Sequence, residues 1–251
     1  MWFYLAPYFL AAASALPFIL GWRFPQFIPW AGWYLFLVAA IILWLWWEPR
    51  RLAQTLWPWF LLLFFWLSSL VFFLFLNQDV LRGLMIVVVP LVTWWYITGW
   101  LANRSKSLQL VRGPGTVVSA AMAWLIFFFS GVAAVSWLVF LNINFWLLFL
   151  IYFAVSLLTL LSVGWIAGWT IKNEWYFLLA AFVIQLEAFI VLSWWPISFY
   201  MIGWLEASVF LALFLLTRYD TSVVMTRRTL FNYLSLLIII SLILIGTSRW
   251  F

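Results

Sequence analysis

Glu187 and Glu206 are the residues of this chain whose type and placement point most directly to chemistry, because each lies inside an apolar run rather than at its end. Glu187 precedes Pro196 by nine residues and Glu206 follows it by ten. If Trp195-Pro196 turns the chain between two helices, a rise of about 1.5 Å per residue sets both carboxyls about 14 Å from the turn, at similar depth. No Lys or Arg lies comparably deep in any apolar run, so only a snorkelling side chain from the flanks offers a cation. Two facing carboxyls at that depth could share a proton, and the chemistry open to them is a proton or cation relay loaded from the outer face. The competing reading is structural: a neutral Glu hydrogen-bonded to a neighbouring helix, stabilising the bundle by about 0.6–2 kcal/mol. Helix rotation decides between them, and the sequence leaves it open. Gln185 lies near the same depth but about 200° around the helix from Glu187, which assigns it to a different contact.

The remaining chemistry is narrowed by what is missing. The chain has no His and no Cys, which removes the commonest general base, the commonest metal ligand, thiolate nucleophiles and disulfides. Asp79 and Asp220 fall at opposite surfaces and cannot form an intramembrane aspartyl dyad. Gly113-Pro114-Gly115 follows a basic loop rather than a strand and reads as a turn, not a phosphate cradle. The expectation is a protein that is not an enzyme, with no catalytic residue, no metal and no cofactor.

The elements that must position the glutamates follow from composition. Hydrophobic residues make up 69% of the 251 residues and charged residues 7%; ordinary soluble domains have about 45–50% and 25%. Apolar runs separated by short polar segments give nine expected spans, at about 2–21, 30–47, 57–76, 83–101, 116–140, 145–169, 175–194, 199–216 and 230–247. Between the fifth and sixth only Asn142 and Asn144 interrupt the run, and between the seventh and eighth only Trp195-Pro196; each combined run is too long for one crossing, so a tight hairpin is expected at both. The polar segments are too short to bury a core of their own. The fold class expected is therefore all-α, a polytopic transmembrane helical bundle of about nine spans with short loops, residues 1–251 forming a single integral membrane domain.

Placing the N-terminus inside puts Arg50, Arg51, Arg104, Lys106, Arg112, Lys172, Arg218, Arg227 and Arg228 in inside loops, against Arg23, Arg82 and Arg249 outside. That bias argues for N-in and C-out. Ala13-Ser14-Ala15 resembles a cleavage site, but no positive segment precedes the first apolar run, so an uncleaved first span is expected. Compact loops suit a bacterial cytoplasmic membrane. The net charge of +6 is spread over flanking loops, which speaks for membrane lipids as partners and against nucleic acid. Of the 23 Trp, nine (Trp22, Trp30, Trp57, Trp59, Trp100, Trp169, Trp175, Trp194 and Trp195) fall near span ends and read as belt residues.

Three further features bear on packing. Pro90, near the middle of the fourth span, is a candidate hinge. Gly164 and Gly168 form a GxxxG pair in the sixth span, and Gly203 with Ala207 gives the eighth a small-residue face. Such faces join helices within one bundle, between two copies of the chain, or to a membrane-protein partner. Two functional readings result: a non-catalytic membrane scaffold or complex subunit, or a proton- or cation-coupled transporter of a small lipophilic solute using the Glu187–Glu206 pair.

Overall fold

The computed structural model describes residues 2–45, 52–105, 114–167, 171–221 and 226–247. Among the described residues there are nine α-helices and no strand: α1 (Trp2–Arg23), α2 (Ile28–Leu45), α3 (Leu52–Leu74), α4 (Asp79–Ser105), α5 (Pro114–Phe140), α6 (Phe145–Ile166), α7 (Ile171–Ser193), α8 (Phe199–Thr221) and α9 (Arg227–Thr247). A 3-10 turn at Pro25–Phe27 joins the first two. Eight of the nine are long and apolar enough to cross a membrane. The apolar part of α2, Trp30–Leu43, is shorter, and residues 46–51, with Arg50 and Arg51, lie outside the described residues. The fold is an all-α helical membrane bundle, in which each helix satisfies its own backbone N–H and C=O groups away from water.

The chain divides into two compact units, residues 1–123 with 161–169, and residues 124–160 with 170–251. In the first, α1 packs against α2, α3 and α4, and α3 against α2 and α4. Its polar ties run between helices: Trp66 Nε1 donates to Thr93 Oγ1 at 2.9 Å, and Tyr96 donates its hydroxyl to the Pro58 carbonyl at 3.0 Å. Trp59, expected in the aromatic belt, donates its indole N–H to the Ala39 carbonyl, tying α3 to α2. Pro90 is half-buried in α4, which runs unbroken past it from Asp79 to Ser105.

The second unit holds both glutamates, and two tight connections shape it. At the end of α5, Asn142 adopts φ 50°, a left-handed conformation that Asn tolerates, and Asn144 Oδ1 then accepts the Trp146 N–H at 2.8 Å to cap α6. At the end of α7, the Trp194 and Trp195 amides bond back to Val191 and Leu192, Pro196 blocks continuation, and the Ser198 carbonyl receives the Met201 amide at 2.8 Å as α8 begins. This second connection makes α7 and α8 an antiparallel hairpin. Along α9, Trp204 of α8 donates to Ser241 at 3.1 Å, yet Leu230 is the one buried residue of that helix and most of the others are exposed, as expected of a surface that meets lipid.

Candidate functional site

Where α5 and α8 cross, neither helix has room for a side chain. A Cβ on Gly203 would come within 2.6 Å of the Phe128 carbonyl oxygen and 3.2 Å of the Val132 nitrogen. Reciprocally, a Cβ on Gly131 would lie 3.2 Å from both the Gly203 Cα and the Glu206 Cγ. Glycine permits this approach because its backbone can touch backbone directly. One turn from Gly203, the Glu206 side chain is thereby pressed into the interior of the unit, with none of its surface exposed.

Glu206 meets two side chains there. Tyr152 of α6 donates its hydroxyl to Glu206 Oε2 at 2.6 Å, and Gln185 of α7 donates from Nε2 to the same oxygen at 2.7 Å. Gln185 Nε2 also lies 3.0 Å from the Glu206 backbone carbonyl and 3.1 Å from the Tyr152 hydroxyl. An amide nitrogen has two protons, so the shortest contact and the backbone carbonyl are the best-placed acceptors, and Gln185 clips the α8 side chain and main chain together. Gln185 is fully buried and Tyr152 nearly so.

Rings fix the three polar groups. Tyr152 stacks on Phe189 with centroids 4.1 Å apart and planes at 12°, and Phe127 stacks on Phe210 at 4.9 Å. Phe189 follows Gln185 by four residues and Phe210 follows Glu206 by four, so each polar residue and its ring share one helix face. Ser156 and Thr159, both fully buried, continue the Tyr152 face of α6. Two buried acceptors, Glu206 Oε1 and Gln185 Oε1, have no hydrogen-bond partner among the described residues.

Glu187 lies elsewhere. It is exposed, and it makes no hydrogen bond or ion pair among the described residues. Glu187 and Glu206, whose mutual orientation the sequence leaves open, are therefore not paired in the structure. Glu206 meets Gln185, two residues earlier in α7 and on the opposite side of that helix, because the inward face of α7 carries Ala181, Gln185, Phe189 and Leu192, all buried. The about 200° between Gln185 and Glu187 already separates the two faces. Tyr152 and Gly131 were not singled out from the sequence; the available signals were a lone Tyr in mid-span with Ser and Thr four and seven residues later, and a Gly inside a long apolar helix. Gly203 lies at the crossing. Gly164 is buried, and its partner Gly168 lies outside the described residues.

Among the described residues no group of three His, Cys, Asp or Glu side chains is placed to hold a metal ion. Comparison with protein-family models, curated proteins and solved structures finds no match to this chain.

Proposed function

We propose that this protein is a non-catalytic, multi-pass membrane subunit that assembles with a membrane-protein partner. The observation that carries the reading is the separation of the two intramembrane carboxyls. Glu206 is taken up by a solvent-inaccessible contact within the unit, whereas Glu187 is exposed about 9 Å inside the end of α7. An ionisable side chain turned towards hydrocarbon costs about 2.5–3.5 kcal/mol near the bilayer centre, and less towards the interface. A partner that covers Glu187 offsets that cost; an internal relay through Glu206 would leave it standing. The buried triad then serves as the fastener that sets α6, α7 and α8 in register. On this reading the chain is not an enzyme, needs no cofactor, and takes lipids and a membrane protein as its partners.

The location that suits it is a bacterial cytoplasmic membrane with the N-terminus inside. The C-out orientation follows if α2 crosses; with α2 lying short of a full crossing, both termini fall on one side. Reporter fusions at each helix connection decide this. Isolation of the full chain from its native membrane in polymer-bounded lipid discs tests the main reading: a stoichiometric partner is expected, and a lone monodisperse monomer contradicts it.

One observation favours the transport reading. Glu206 Oε1 and Gln185 Oε1 are buried acceptors with free lone pairs, the kind of oxygen that binds a proton or a small cation. Flux into vesicles that is abolished by Glu206→Gln, with folding retained, would establish that alternative.

A further inference from the structure

We propose that the outward face of α7 is a docking seam for a partner transmembrane helix carrying a Lys or Arg level with Glu187. The inference rests on the subunit reading and names the partner's chemistry. Val183, Glu187, Ile190 and Trp194 are all exposed, and they follow one another at intervals of four, three and four residues. That spacing is the stripe along which a second helix packs at a shallow crossing angle. Val191, 62% exposed, and Trp194, 76% exposed, flank the carboxyl towards the helix end. The stripe is apolar apart from Glu187, so one polar contact defines its register.

Charge complementarity selects the occupant. Among the described residues a second copy of the chain offers no cation at that depth, because their basic residues lie at helix ends: Arg23 in the last turn of α1, Arg82 near the start of α4, Arg218 in the last turn of α8, and Arg227 with Arg228 opening α9. Two copies facing through this seam would set carboxyl against carboxyl. The exposed face of α9 is equally apolar but carries no acidic group, so lipid suffices to cover it. The occupant of the α7 seam is therefore a different chain, apolar except for one basic residue set about 9 Å inside one end of its span.

The full-length protein in phosphatidylcholine vesicles provides the test, with two synthetic probes. One is a Leu/Ala transmembrane peptide with a single Lys at that depth, and the other has Leu in place of the Lys. Energy transfer from the protein's Trp residues to a labelled peptide reads binding. The Lys peptide is expected to bind about five to thirty times tighter than the Leu peptide, the range an interhelical polar contact gives. In Glu187→Leu the two peptides should bind alike, and Glu187→Gln, which keeps a hydrogen-bonding group, should retain part of the preference. Equal binding to wild type overturns the proposal, as does a Lys preference that survives Glu187→Leu, or self-association of labelled copies that requires Glu187. The wider reading is judged separately. A native partner retained by Glu187→Leu leaves the subunit reading standing while this inference fails, and absence of any partner from the wild-type protein sinks both.

Discussion

Within the apolar stretch 177–192, the two faces of α7 carry one polar residue each, and the two meet opposite fates. On one, Gln185 is fully buried and its amide reaches Glu206 of α8; on the other, Glu187 is exposed among Val183, Ile190 and Trp194. The residues around them do not account for the difference, since both faces are apolar: Ala181, Phe189 and Leu192 on the one, Val183, Ile190 and Val191 on the other. Lipid is as apolar as a protein interior, so hydrophobicity gives a membrane helix little reason to turn either way. Rotation is set instead by the few groups that need a partner and by the glycines that let backbones close. Here these are Gln185, Tyr152 and Glu206, with Gly131 and Gly203 behind them. The inward face is thus specified by a contact already made, and the outward face, on the subunit reading proposed above, by a contact with a partner.

That contrast can be broken at its strongest point first. Gly203→Val drives a side chain against the Phe128 carbonyl and the Val132 backbone, atoms that cannot move aside. We expect a loss of about 3 kcal/mol or more, or failure to assemble, in reversible unfolding in bicelles. Gly32→Ala, with nothing within 4 Å of the added atom, should be close to neutral in the same assay.

The next effect is smaller and isolates the polar contact. Gln185→Leu strips Glu206 of one donor and of the tie to its own backbone, for an expected cost of about 1–3 kcal/mol. Tyr152→Phe removes the other donor while leaving the stacked ring on Phe189. A double-mutant cycle between Tyr152→Phe and Glu206→Leu should return a coupling of about 0.5–2 kcal/mol. A coupling near zero would mean that the triad does not hold the helices together.

The smallest effect on stability should come from the outward face. Glu187→Leu is expected to leave unfolding of the isolated protein within about 0.5 kcal/mol of wild type, or to raise its stability. A loss as large as that of Gln185→Leu would erase the distinction between the faces.

Much of the architecture was legible because it depends on length and polarity alone. The apolar runs and the Asn142/Asn144 and Trp195-Pro196 breaks mark where helices end, since charge, Pro and turn residues cannot continue a span. The neighbours of Glu206 were less legible. Its depth followed from rise per residue, but its partner depended on rotation, and rotation depends on which residues on three other helices come within 3 Å. Gln185 could be separated from Glu187 by angle, yet nothing in the sequence said which of the two turns inward. Tyr152 is distant in the chain, and its role exists only because α6 passes beside the hairpin. Gly131 and Gly203 carried a signal for close approach without naming each other.

The absence of Cys from the chain makes the central claim directly measurable. A nitroxide on Val183→Cys, one turn from an intact Glu187, reports its surroundings through collision with dissolved oxygen, which concentrates in lipid. In vesicles holding the protein alone, we predict high oxygen accessibility at Val183, falling sharply when the Lys-bearing helix is added, while a label on Ile239→Cys of α9 stays lipid-exposed throughout. A Val183 label already shielded in the isolated protein, or one still open to oxygen with the Lys helix present, would contradict the account.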